Sequence, residues 1–167
     1  MGEIGEGQLG LLGPALLDQA PAQHARQQAK RGRGREKPAV ALAEGPVPCI
    51  ALPLPVVPGD WRLCHKTTDR GFYEAAMAVA KERRAGEALM VREDGLVTEG
   101  TISNIFVERD GRLLTPAASL GLLPGVLRRR LIEEGRAKEA ELTLADLAHG
   151  FFIGNATRGL LAAVLQR

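Results

Sequence analysis

The sequence has few aromatic residues, few cysteines and almost no net charge. Aromatic side chains make up 4% of the 167 residues, with one Trp and one Tyr, so the stacked aromatic platforms of single-strand nucleic-acid binders are not expected. Lys and Arg number 22 against 20 Asp and Glu, a net charge of +2 that indicates no nucleic-acid partner. No apolar run approaches the ~20 residues of a membrane span, and the N-terminus resembles no signal peptide. The expectation is a cytoplasmic globular protein without membrane contacts.

The cysteines and histidines predict no metal site. Cys49 and Cys64 lie too far apart for a Cys-x-x-Cys motif. His24, His65 and His149 form no metal-ligand spacing with them. Two reduced thiols are therefore the expected state of the cysteines.

The chain divides into two parts by pattern. Residues 1–37 contain many Gly, Ala and Gln residues and a basic run over 30–35, but no regular apolar period. This composition predicts an irregular or disordered basic extension. Residues 38–167 show regular apolar patterns and predict one folded domain.

Apolar periodicity and turn residues predict a mixed α/β domain. Two short strands joined at Gly45 are expected between residues 38 and 58, and the Asp-Gly pairs at 94–95 and 110–111 predict hairpin turns. The predicted helices span 69–84, 126–134 and 159–165, with a further short one opened by a capping box at 143–146, and the predicted strands span 88–91, 101–108, 112–114 and 151–153. The fold class is thus a hairpin-rich sheet with packed helices, not a doubly wound parallel sheet.

Three features of this domain have a chemical logic. Lys66 lies between an irregular segment and a helix, and a lysine in a partly desolvated pocket can condense with an aldehyde. Glu99 is a carboxylate expected between two strands and followed by small polar residues. The Pro124-Gly125 pair opens a helix whose free N–H groups suit a phosphate.

Four ordered motifs give a family resemblance. They read "HKTTDRGFYEAA", "VTEGTISNIFVERDGRLLTP", "GLLPGVLRRRLIEEG" and "GNATRGL". Together they resemble the class IV, or fold-type IV, aminotransferases that depend on pyridoxal 5'-phosphate, and most of all their aminodeoxychorismate lyase branch. The resemblance implies that residues 38–167 form the large cofactor-binding domain of the D-amino-acid aminotransferase-like fold.

The resemblance also implies roles for particular residues. Lys66 would bond to the cofactor aldehyde and then, kept neutral by desolvation, move the substrate Cα proton. Glu99 would face the pyridine nitrogen and hold it protonated. Val126 and Leu127 would offer backbone amides to the cofactor phosphate, and Thr157 would add a hydroxyl.

Two nearby side chains receive no role from the resemblance. Arg70 matches an arginine common in this group, without an assigned function. Tyr73 is expected to point away from the cofactor, because its place on the predicted helix differs from that of the family's cofactor tyrosine.

Three functions remain open from the sequence. The first is a lyase that eliminates pyruvate from 4-amino-4-deoxychorismate and leaves 4-aminobenzoate, a folate precursor. The second is a branched-chain or D-amino-acid aminotransferase. The third is a non-catalytic remnant, since the family's smaller N-terminal domain needs more chain than precedes Lys66. In either enzyme the resemblance implies an amino-acid-like substrate and a homodimer.

Overall fold

A computed structural model describes residues 45–166 of the chain. The predicted extension over 1–37, its basic run and the first predicted strand lie outside these residues. The helices are α1 (Gly71–Glu82) and α2 (Val126–Glu133), with short 3-10 helices at Trp61–Leu63 and Ala118–Leu120. The strands are β1 (Val47–Pro53), β2 (Glu87–Val91), β3 (Val97–Gly100), β4 (Asn104–Arg109), β5 (Arg112–Pro116), β6 (Ala137–Ala140), β7 (Phe151–Asn155) and β8 (Gly159–Leu165).

The eight strands form one mixed sheet in the order β3-β2-β1-β8-β7-β4-β5-β6. Strand β1 is parallel to β2 and β8, and β5 is parallel to β6. The other neighbours are antiparallel, including the hairpins β2–β3, β4–β5 and β7–β8. Asp110 and Gly111 both have positive φ in the β4–β5 turn, as the Asp-Gly signal requires. The predicted hairpin-rich α/β fold is confirmed.

Each helix covers a different part of the sheet. Helix α1 packs Tyr73, Ala76 and Ala80 against β1 and β2 residues that include Ile50 and Met90. Helix α2 packs against β4 and β6, where Leu131 meets Phe106 and Ala137. No helix in the described part of the chain is long and apolar enough to cross a membrane.

The prediction of a final helix over 159–165 is wrong, because this segment is strand β8. It lies between β1 and β7, so both of its edges are paired within the sheet. Its exposure alternates along the pleat, since Ala163 is buried while Ala162 and Val164 are exposed. Backbone pairing on two sides outweighs the modest helix propensity of Ala and Leu.

Four shorter segments also differ from the predictions. Residues 101–103 form a bend rather than the start of a strand, and β3 before it and β6 were not predicted. Residues 144–149 form turns instead of a helix. The capping bond does form, because Asp146 accepts hydrogen bonds from the Thr143 N–H at 2.8 Å and its hydroxyl at 2.9 Å. Gly150, with φ +101°, follows too soon for a stable helix to form.

Candidate active site

One cavity of about 370 Å³ brings together four of the five predicted site residues. Lys66, Glu99, Val126 and Thr157 all line it. The fifth, Leu127, does not, and its side chain packs with the buried cluster beneath α2. Neighbouring residues on a helix point about 100° apart, which explains why Val126 faces the cavity and Leu127 the core.

Lys66 lies in the irregular segment between the Trp61–Leu63 helix and α1. Its side chain is exposed at the cavity wall. The desolvated surroundings expected for this amine are therefore absent from the structure of residues 45–166. An exposed lysine is free to reach a ligand in the cavity, but the surrounding residues do not exclude water from its amine.

Glu99 is the buried acid of the cavity. It lies within β3 rather than between two strands, and its side chain is 5% exposed. The Tyr73 hydroxyl donates a hydrogen bond to Oε1 at 2.5 Å, and the Leu123 N–H donates to the same oxygen at 3.2 Å. Burial raises the pKa of this carboxyl to about 7, and the two hydrogen bonds oppose the rise. The group can therefore change protonation near neutral pH.

Tyr73 points into the site, so the prediction that it points away is wrong. The helical spacing from Lys66 gave no signal for this, because the partner of Tyr73 is on a strand 26 residues later. Arg70 lies over the same ring, with its guanidinium carbon 4.7 Å from the ring centroid. It also donates a hydrogen bond to the Thr101 carbonyl at 2.7 Å. These contacts join the start of α1 to the bend after β3.

Glu87 is a second buried acid that the sequence did not reveal. It is fully buried on β2, next to Gly100, whose missing side chain leaves room for the Glu87 carboxylate. The carboxylate accepts hydrogen bonds from the Ile102 N–H at 2.9 Å and the Ser103 hydroxyl at 3.0 Å. Burial raises its pKa. Glu87 thus fixes the bend that forms one wall of the cavity.

The first turn of α2 forms another wall. Gly125 is the N-cap, which places Pro124 just before the helix rather than in its first turn. By helix geometry the N–H groups of Val126 and Leu127 have no acceptor within α2, and they lie at the positive end of its dipole. The Asn104 side chain holds this segment, since its amide donates to the Leu123 carbonyl at 2.9 Å and its oxygen accepts from the Gly125 N–H at 3.2 Å.

The contact between Gly125 and Asn104 gives a test of this wall. A Cβ at Gly125 would overlap Oδ1 of Asn104, so Gly125→Ala should displace the amide and lose both hydrogen bonds. We expect a loss of about 2 kcal/mol in the free energy of unfolding, measured by urea denaturation. Gly71→Ala is the matched control, since a Cβ there meets nothing within 4 Å.

A double variant separates overlap from other effects of the alanine. Removing the Asn104 side chain as well should relieve the overlap, so the double variant should lose less stability than the two single variants together. Additive losses would contradict the arrangement.

Thr157 lies in the turn between β7 and β8 and lines the cavity. The Asn155 side-chain oxygen accepts hydrogen bonds from the Thr157 and Arg158 N–H groups, each at 3.0 Å. The amide of Asn155 donates to the Ile102 carbonyl at 3.1 Å. The turn is therefore tied to the bend after β3, and the exposed Thr157 residue is held at the cavity edge.

Comparisons with known proteins place this arrangement in one family. The family model of class IV amino-transferases matches residues 21–164. A Schizosaccharomyces pombe protein provisionally named aminodeoxychorismate lyase is 38% identical over 77 residues, which cover 45% of this chain and 33% of that protein.

Solved structures with a similar fold include aminotransferases. A Mesorhizobium loti crystal structure, provisionally described as an amino-acid aminotransferase, has a TM-score of 0.69 and 39% identity, covering 75% of this chain and 62% of that one. The pyridoxal-phosphate-bound form of a hypothetical aminotransferase from Mycobacterium tuberculosis has a TM-score of 0.64 and 27% identity, covering 72% of this chain and 47% of that one. The chain spans less than two thirds of each of these proteins. Because the family match covers most of its residues, the chain belongs to the class IV amino-transferases, a family of pyridoxal-phosphate-dependent aminotransferases and lyases.

Proposed function

We propose that the cavity binds pyridoxal 5'-phosphate and that residues 38–167 are the cofactor-binding domain of a class IV enzyme. The observation that supports this best is that an amine, a buried carboxylate and a helix N-terminus line one cavity. These groups match the aldehyde, the ring nitrogen and the phosphate of this cofactor, respectively. The volume of about 370 Å³ lies within the range of roughly 300–1,000 Å³ for small-molecule pockets.

Each wall of the cavity has one task in this proposal. The N–H groups of Val126 and Leu127 and the hydroxyl of Thr157 bind the phosphate. Glu99 holds a proton on the ring nitrogen, and its burial strengthens that ion pair. When bound, the cofactor supplies a ring that accepts electrons from the substrate Cα.

Lys66 performs the proton transfer. Its amine would hold the cofactor through the cofactor aldehyde, and with substrate bound the same amine would be the base that takes the Cα proton. Because Lys66 is exposed in this structure, the bound ligands would have to exclude water from around it.

We propose that the specific activity is that of an aminodeoxychorismate lyase. Such an enzyme releases pyruvate from 4-amino-4-deoxychorismate and leaves 4-aminobenzoate. The relative from Schizosaccharomyces pombe supports this choice. An amino-acid aminotransferase is the second candidate, supported by the 39% identity to the Mesorhizobium loti structure. Both act on an amino-acid-like substrate, and we propose a homodimer for either by analogy with the family.

Cofactor titration of the wild-type chain tests the proposal. Added pyridoxal phosphate should produce a visible absorption band, and borohydride should then fix the cofactor to the peptide that contains Lys66. Mass spectrometry of the digest identifies that peptide. No band, or attachment to another lysine, would overturn the proposal.

Product analysis then separates the activities. Pyruvate and 4-aminobenzoate formed without a second substrate indicate the lyase. A keto acid that forms only when an acceptor keto acid is added indicates the aminotransferase. Attachment at Lys66 without either product would show a cofactor-binding protein that is not catalytic on these substrates.

A further inference from the structure

We propose that Tyr73 is a positioning residue that aims the Glu99 carboxylate at the ligand, an inference that rests on the proposed function of this cavity. Its hydroxyl and the Leu123 N–H both donate to Oε1 of Glu99. Within residues 45–166, no hydrogen bond is made to Oε2 of Glu99. A carboxylate is planar, so fixing one oxygen fixes the other. Oε2 is thereby left for a donor inside the cavity.

Tyr73 is itself held rigidly enough to set this geometry. Its side chain is 5% exposed and packs in the α1 core with Ala76 and Ala80. The Phe72 and Tyr73 ring centroids are 4.0 Å apart, and the Arg70 guanidinium carbon lies 4.7 Å from the Tyr73 centroid. The hydroxyl position is therefore fixed by packing.

The charged and titratable groups around the pair come from three elements. Arg70 lies at the start of α1, Glu87 on β2, and Cys64 in the segment before Lys66. Arg70 lowers the pKa of Glu99 and Glu87 raises it, while the Tyr73 hydrogen bond lowers it. Removing the hydroxyl takes away a donor to the charged form, so the pKa of Glu99 should rise.

The first experiment uses the full chain without cofactor. We expect Tyr73→Phe to raise the pKa of the Glu99 carboxyl by about 1. The titration is measured by 13C NMR of labelled glutamate. Glu99→Gln identifies the signal. Thr115→Val, which removes a buried hydroxyl on β5 outside the cavity, should leave the titration unchanged. An unchanged Glu99 titration in Tyr73→Phe would overturn the proposal.

The second experiment asks whether Tyr73 acts through Glu99 on the ring nitrogen. Pyridoxal phosphate is compared with its carbocyclic analogue, in which CH replaces that nitrogen. Tyr73→Phe should weaken binding of pyridoxal phosphate by roughly 10-fold, the loss of one charge-assisted hydrogen bond, and leave the analogue within twofold of wild type.

The two experiments distinguish the possible failures. Equal weakening for both ligands would show that Tyr73 only packs, which overturns the positioning role but leaves the proposed function standing. If wild type binds neither ligand, the proposed function fails, and the NMR titration alone decides whether Tyr73 orients Glu99.

Discussion

Lys66→Ala should abolish the visible absorption of the cofactor-loaded chain and all attachment of cofactor after borohydride. Among the residues of 45–166 that line the cavity, Lys66 alone carries an amine, so the variant loses the group that bonds to the aldehyde. Any substrate turnover should fall by about 10²–10⁴-fold, the usual contribution of a positioned base. Because Lys66 is exposed, the free energy of unfolding should stay within about 0.5 kcal/mol of wild type, as urea denaturation would show.

Two control variants separate bonding from charge. Lys66→Arg keeps a cation in the cavity wall, but a guanidinium does not form the covalent link, so this variant should also lack the band. Lys81→Ala removes an exposed lysine from α1 and should behave as wild type. A band that persists in Lys66→Ala would assign the amine to another residue.

The local patterns predicted most of the fold because they act over a few residues. Helices α1 and α2 and the Asp110-Gly111 turn follow from apolar spacing and from backbone preferences. Strand β8 could not be predicted in the same way. Its short run of Leu, Ala and Val fits a helix as well as a strand, and pairing with β1 and β7 decides between them.

The same distinction between local and distant contacts applies to the residues of the candidate site. Lys66 and Glu99 could be predicted as site residues because their motifs are contiguous in the sequence, and both line the cavity. Tyr73 and Glu87 were missed because their hydrogen-bond partners are distant in the sequence. Glu99 lies 26 residues after Tyr73, and Ile102 lies 15 residues after Glu87. Glu87 directly precedes the apolar run at residues 88–91, and this position is the one signal that could have placed it in β2.

Two buried carboxylates on neighbouring strands lower the stability of the cofactor-free chain when they are ionised. Glu87 and Glu99 each have a raised pKa, with burial as the main cause, and the charge of Glu87 raises the pKa of Glu99 further. The nearby Arg70 guanidinium offsets only part of this for Glu99, since it is occupied with the Thr101 carbonyl. A cationic ring nitrogen at Oε2 would supply the missing counter-charge.

Glu99→Gln should therefore make the cofactor-free chain more stable at pH 8 than wild type, while matching it near pH 4.5. In the folded chain the pKa of Glu99 rises from 4.5 to about 7, so between these values the folded state binds a proton that the unfolded state releases. Wild-type stability falls with rising pH across this window, by about 3 kcal/mol from this residue. Glutamine has no such proton. Urea denaturation of both proteins at several pH values measures the difference, and a constant difference would contradict the burial of an ionisable Glu99.

The same variant should lose function while gaining stability. Glutamine at position 99 cannot hold a proton on the ring nitrogen as an anion does, so turnover of the loaded chain should fall by about two orders of magnitude. A residue that only supports the fold would lower stability and activity together. Opposite changes in the two measurements would identify Glu99 as a group kept in the cavity for its charge, and parallel changes would place it among the structural residues of β3.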